Sequence, residues 1–164
     1  MNEQSSTPPA ERKLHKQQTW RKSNSMNKKG VEKPANWEEY LHEIAAATLK
    51  KGGTAFKLDR CQFLPPMDIW SFPKYPGRTR ILPQTIELVD ALRDFITANE
   101  KLLKESDCWL GTWINPITHE FYLDIATGQQ DLEAAKREAL EASQRDGRRI
   151  VAIYNSQQQK TIYL

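Results

Sequence analysis

Residues 108–127, CWLGTWINPITHEFYLDIAT, set the architecture of this chain. In the second half, Phe121, Leu123 and Ile125 alternate with Tyr122 and Asp124. That period of two predicts a strand with one buried face. Asn115-Pro116-Ile117-Thr118-His119 has the composition of a turn, so CWLGTWIN (108–115) and EFYLDIAT (120–127) read as a hairpin. Beyond it, DLEAAKREALEASQRD (131–146) predicts an alanine-rich helix, with Asp131 as N-cap and Gly147 as stop. RRIVAIYN (148–155) reads as a third strand. Residues 155–159 turn the chain, and KTIYL (160–164) reads as a fourth strand. The expectation is a compact, local β-β-α-β-β unit. A right-handed crossover places its third strand parallel to one member of the first hairpin, with the helix across one face.

Working toward the N-terminus, QTIELVDALRDFITANEKLLKE (84–105) has a broad apolar stripe of Ile86, Val89, Leu92, Phe95, Ile96, Leu102 and Leu103. It predicts a long helix over the same sheet, with Pro83 at its start. WEEYLHEIAAATLKK (37–51) predicts another helix. Trp37, Tyr40, Leu41, Ile44, Ala45 and Thr48 follow the 3.6 period. Asn36 with Glu39 has capping-box spacing, acids lead, Lys50 and Lys51 close, and Gly52-Gly53 ends the helix. The fold class is therefore α+β: a disordered basic N-terminal tail, two helices, then the β-β-α-β-β unit. The organisation is a tail (1–35) and a single domain (36–164), the latter divided into helices with a loop (36–106) and the sheet unit (107–164).

Between the first two helices, residues 54–83 hold a brief alternation at Phe56 and Leu58, then five prolines at 65, 66, 73, 76 and 83. Proline fixes φ and removes a donor, so no central strand or long helix is expected there. Trp70, Phe72 and Tyr75 are interleaved with Lys74, Arg78 and Arg80. Two readings fit: a rigid loop packing Trp70 and Phe72 onto the body, or a partner-binding surface built from Trp70, Phe72, Lys74, Tyr75, Arg78 and Arg80. In a nucleic-acid version, Tyr75 stacks on a base while Arg78 and Arg80 meet phosphate.

The chain has 164 residues with 38% hydrophobic and 27% charged, too polar for every segment to lie in a core. It lacks a run of about 18 apolar residues, which argues against a membrane span. The first residues have no apolar core of signal-peptide type, and Cys61 and Cys108 are too few for a disulfide scaffold or metal cage. The expected location is cytoplasmic. Net charge is +3, but its distribution is uneven. Residues 1–35 hold eight basic side chains against three acids, while the remainder holds 16 against 18. The excess belongs to the tail, where Leu14, Trp20, Met26 and Val31 share no face. A solubilising tail is one reading. The other is a nucleic-acid arm using Arg12, Lys13, Lys16, Trp20, Arg21, Lys22, Lys28 and Lys29, with Trp20 as a stacking residue.

Catalytic signatures are thin. The sequence has no phosphate loop, dinucleotide fingerprint or nucleophile elbow. His15, His42 and His119 occur singly. Cys108 with His119 is a conceivable nucleophile–base pair, and His119, Glu120 and Asp124 a conceivable acid–base cluster. A buried cysteine and a solvated hairpin end explain them equally well. Leu110-Gly111-Thr112-Trp113-Ile114-Asn115-Pro116, then Phe121-Tyr122-Leu123-Asp124-Ile125, an alanine-rich helix and Ile150-Val151-Ala152-Ile153-Tyr154 resemble small uncharacterised modules encoded by phages, plasmids and bacterial genomes. The resemblance spans about residues 107–164. It implies a fold and assigns no activity. The leading expectation is a non-enzymatic cytoplasmic protein-binding accessory or regulatory factor working through loop 65–83. The alternative is nucleic-acid binding through the tail. No cofactor, metal or catalytic residue is expected, and the oligomeric state is open.

Overall fold

A computed structural model describes residues 34–164; apart from Pro34 and Ala35, the expected tail, with its cations and Trp20, lies outside these residues. Residues 36–164 form one compact unit. Its elements are α1 (Trp37–Lys51), β1 (Gly53–Lys57), β2 (Gln62–Phe63), β3 (Trp70–Pro73), β4 (Arg80–Leu82), α2 (Leu88–Leu103), β5 (Trp109–Ile114), β6 (Phe121–Gln129), α3 (Leu132–Asp146), β7 (Ala152–Asn155) and β8 (Lys160–Tyr163). Short 3₁₀ turns lie at Leu58–Arg60 and Pro76–Arg78. The strands form one eight-stranded sheet in the order β2-β1-β5-β6-β3-β7-β8, with β4 also on β6. Every pairing is antiparallel. The fold is α+β, and among the described residues no helix is long and apolar enough to cross a membrane.

Register puts all three helices on one face of the sheet. Cross-strand partners share a face, and residues two apart along a strand share it too. Leu110 pairs with Ile125, Thr112 with Leu123 and Ile114 with Phe121. Phe56, Leu110, Phe121, Leu123 and Ile125 join Leu41, Ile44, Leu92, Phe95 and Ile96 of α1 and α2 in the larger core. Phe72 pairs with Thr127, so it and Trp70 lie on that same face. There they join Ile153 and Ala135, Ala139 and Ala142 of α3 in a second core. The alanines let α3 approach the sheet closely, and Trp70 and Phe72 fill the space they leave.

Several local expectations hold. α1 spans the predicted residues, and Gly52 ends it in the left-handed region at φ 79°. Asp131 caps α3 by accepting from the Ala134 N–H at 2.7 Å, and Gly147 ends it at φ 64°. In the β5–β6 turn, the Asn115 Oδ1 accepts from the Ile117 N–H at 2.9 Å.

Others need correction. Asn36 makes no side-chain cap. α2 begins at Leu88, five residues after Pro83, because Leu82 still pairs with Phe121 in β4 and the chain needs residues 83–87 to leave the sheet. The third strand of the expected unit begins at Ala152 because the residues before it finish α3. The Arg148 N–H donates to the Ser143 carbonyl, and the Ile150 N–H donates to the Ser143 hydroxyl.

The largest correction is β3. The proline-rich stretch contains a central strand, lodged between β6 and β7. Its prolines are spaced to permit this. Trp70, Ser71 and Phe72 keep their N–H groups, Pro73 closes the strand, and pairing resumes where the Lys74 N–H donates to the Ile125 carbonyl at 2.8 Å. Since β3 is antiparallel to both β6 and β7, those two are parallel, as the crossover predicts. They are not adjacent, and the sheet unit is not purely local.

Lys57 ties the connection after α2 to the sheet. Its buried ammonium donates to the carbonyls of Glu105 at 2.6 Å, Ser106 at 3.2 Å and Cys108 at 2.6 Å. These carbonyls belong to the connection beyond the end of α2, and the lysine gives them a buried donor in addition to the Cys108 N–H that bonds to Glu105.

The placement of β3 separates two residues of one sequence stretch. Phe72→Ala should cost about 3–5 kcal/mol in urea unfolding, as for a core aromatic. The exposed Arg78→Ala should stay within about 0.5 kcal/mol of wild type.

Candidate functional site

The face of the sheet opposite the helices is not covered by a second layer. It carries Gly53 and Ala55 from β1, Trp109, Gly111 and Trp113 from β5, and Tyr122, Asp124 and Ala126 from β6. Ser71, Pro73, Ala152 and Tyr154 continue the same face. A solvent-facing strand face is ordinarily polar. This one is built of small and aromatic residues, and it forms a trough of about 650 Å³.

Its floor is low because small residues are in register. A Cβ on Gly111 would stand 3.1 Å from that of Ala126, and one on Gly53 would lie 2.6 Å from the Thr112 carbonyl oxygen. Neither position accommodates a side chain without displacement. Trp109 and Trp113 flank Gly111 along β5. Trp113 meets Tyr122 edge-on, with centroids 5.2 Å apart. Tyr154 stands at the β7 side, 39% exposed.

The wall comes from the proline-rich stretch. Leu64, Pro65, Pro66 and Met67 line the trough. They belong to the segment linking β2 to β3, and β1, β5 and β6 lie between those strands. The crossing covers at most about 19 Å at the usual strand spacing. Six residues reach about 20 Å when nearly extended. Pro65-Pro66 favours that extended form. The far end of this strap is fixed to the β7–β8 turn. The Met67 N–H donates to the Ser156 hydroxyl at 2.8 Å, and the Gln157 N–H donates to the Met67 carbonyl at 3.3 Å. Asp68 accepts from the Asn155 amide and from the Gln158 amide, each at 2.8 Å. These bonds hold its carboxyl below the usual carboxylate value.

Asp124 is the acidic side chain lining the trough. Its Oδ1 accepts a hydrogen bond from the Thr79 hydroxyl at 2.5 Å. Burial pushes its pKa up to about 6, against the opposing pull of the Thr79 hydrogen bond and the charge of Arg148. A smaller hollow of about 50 Å³ adjoins it, lined by Trp113, Tyr122, Arg148 and Arg149 among others. That space suits one or two waters.

The residues expected at a partner surface divide into three groups. Trp70 and Phe72 are buried against α3. Lys74 and Tyr75 are half-buried in a polar cluster. The Lys74 ammonium donates to Glu105 at 2.8 Å and Asp107 at 2.9 Å, and the Tyr75 hydroxyl donates to Glu105 at 2.9 Å. Burial opposes the charge on Lys74, but the two carboxylates outweigh it and raise its pKa. Arg78 and Arg80 are exposed.

Glu105, Asp107 and Cys108 offer ligand atoms within 4.8 Å of one another, the spacing of a cation site. The Lys74 ammonium already bonds to both carboxylates, and burial pushes the Cys108 thiol up to about 11. A metal would have to displace that lysine and a proton. Cys108 precedes β5 and His119 follows it, so the two stand about 20 Å apart along the strand and form no nucleophile–base pair. His119 and Glu120 lie at the turn, whereas Asp124 faces the trough.

Asp124 gives a pH test. Its folded pKa of about 6 exceeds the ordinary aspartate value of 3.8, so its contribution to stability is full below about pH 4 and is lost as pH rises through 6. Asp124→Asn should remove this dependence. In denaturation at pH 7 the variant should be the more stable by up to about 3 kcal/mol, with the advantage vanishing below pH 4.

Comparison of the chain with protein-family models, curated proteins and solved structures found no match.

Proposed function

We propose that this protein is a non-enzymatic binding protein, an accessory or regulatory factor whose binding surface is the strapped concave face of its sheet. The observation that supports this reading is the trough itself. Its volume of about 650 Å³ falls in the range of ligand sites. Its lining has their composition too: an apolar and aromatic surface with few polar groups. The expected loop 65–83 keeps a role, but a different one. With Leu64 before it, it supplies the wall at Pro65–Met67 and the floor at Ser71 and Pro73, while Trp70 and Phe72 hold the sheet to α3. Arg78 and Arg80 remain available to a protein partner at the rim of the fold.

The test is to fill the trough without touching the core. Ala152 lines it from β7, at a half-buried position. Ala152→Leu should weaken binding of a neutral naphthalene probe at least tenfold by calorimetry. Its urea midpoint should stay near that of wild type. Equal affinity in both proteins would place the probe elsewhere and remove the trough as the binding surface.

The charge segregation of the sequence favours a second reading, a nucleic-acid arm at residues 1–35. Its eight cations set a limit of about −7 for the slope of log affinity against log salt on duplex DNA. A full-length protein that binds with a steep slope, beside a chain starting at Asn36 that does not bind, would support it. No binding at low salt would remove it.

A further inference from the structure

The trough combines an apolar, aromatic lining with a recessed carboxylate that the fold leaves without an ion pair. Among the described residues, no salt bridge includes Asp124. The Thr79 hydroxyl bonds to Oδ1. The Arg148 guanidinium is directed elsewhere, donating to the Thr79 carbonyl at 2.8 Å. Arg148 and Arg149 line the small hollow beside the trough rather than the trough itself, and Lys51 lies at its exposed rim. Asp124 is half-buried, and a carboxylate withdrawn from water is ordinarily paired with a cation or fully hydrogen-bonded. Here the position opposite it in register is Gly111, which puts no side chain between that side of Asp124 and the trough. Trp109 and Trp113 flank Gly111 along β5, and Tyr122 pairs with Trp113 on the same face. Aromatic faces attract ammonium and guanidinium groups, most strongly where water is excluded.

We propose, on the reading of the trough as the binding surface, that its ligand is a small organic cation. A primary amine or guanidinium sits over Gly111 against Asp124. A flat apolar body lies between the tryptophans and the Leu64–Met67 strap. The strap excludes water from one side, which strengthens the ion pair in the recess. An arginine side chain of a protein partner carries the same chemistry, so the test separates the two sources.

The experiment uses the full-length protein and matched probes, followed by calorimetry and by amide shifts of Gly111 and Asp124. The probes are 2-(1-naphthyl)ethylamine, its neutral alcohol 2-(1-naphthyl)ethanol, the anion 1-naphthylacetate, and an acetylated pentapeptide with a central arginine. The amine should bind at least tenfold tighter than the alcohol at pH 7.5. Asp124→Asn should reduce the amine to the affinity of the alcohol while changing the alcohol less than twofold, which also shows that the variant keeps the trough. Lowering the pH to 5 should weaken the amine about tenfold, because about one Asp124 in eleven stays ionised there. The other charged or titratable groups near Asp124 are Arg148, Arg149 and the Tyr122 hydroxyl. The alcohol should show no such change.

Equal affinity for amine and alcohol would overturn the cation while leaving the trough as a site. Tightest binding of 1-naphthylacetate would show that Arg148 and Arg149 set the preference, and would overturn the assignment. A pentapeptide tighter than the amine would move the cation to a partner chain and overturn the free small molecule. Failure of every probe to bind would overturn the trough as the binding surface itself.

Discussion

The structure depends on four residues that enter the sheet from far away in sequence. Trp70 pairs with Gln129 on β6 and with Asn155 on β7, and Ser71 pairs with Gly128 and Tyr154 in the same way. Without β3, the β7–β8 hairpin would have no neighbour in the sheet, and a lone two-stranded ribbon is marginal in water. The side chains extend the same dependence. Trp70 and Phe72 occupy the gap between the sheet and the alanine face of α3, so one short strand provides both the hydrogen bonds and the packing of the smaller core. Asn155, fully buried, secures the join by donating to Asp68 and accepting from the Gln158 N–H.

This arrangement leads to the trough. β2 lies at one edge of the sheet and β3 beyond its middle, so the chain between them must cross the strands. The helices occupy one face, and the crossing falls on the other. A strap over a bare sheet encloses space only if the residues beneath it are small. Gly53, Ala55, Gly111 and Ala126 meet that condition in adjacent strands. The trough therefore follows from connectivity together with register, and the larger residues Trp109, Trp113 and Tyr154 bound it. Contiguous apolar surface of this kind is the feature on which the proposed binding surface rests.

Much of the fold was legible locally and little of the site was. α1, the caps at Gly52, Asp131 and Gly147, and the β5–β6 hairpin each depend on residues within a few positions of one another, and the chain carries their signals in order. β3 does not. Trp70 and Phe72 alternate with Ser71 and Pro73 over four residues, too few to reveal a period, and flanking prolines weigh against a strand. Its partners lie more than fifty residues away. In the sequence Asp124 stood as the polar member of an alternating strand and as part of a conceivable acid–base cluster with His119 and Glu120, and both readings placed it on a solvated face. The sign against that reading lay in its neighbours. Tyr122, Ala126 and Gly128 share its parity and are not polar. Gly111, opposite it, becomes informative only once register is known.

The energetics of Asp124 bear on why a carboxyl group stands there. For the fold alone, an amide would accept the Thr79 hydroxyl equally well and would carry no charge to desolvate. The carboxylate raises the free energy of the folded state at neutral pH, and its single bond to Thr79 does not offset that. A cation placed beside the carboxylate would change the balance, since it makes the ionised form the favoured one and draws the pKa back down. On the proposed occupancy, such a group would couple binding to folding. Occupancy would then stabilise the face where the strap and the β7–β8 turn meet. Those two elements are held to the domain chiefly by β3 and by polar contacts at Met67 and Asp68, so they are where a bound ligand would be felt most strongly.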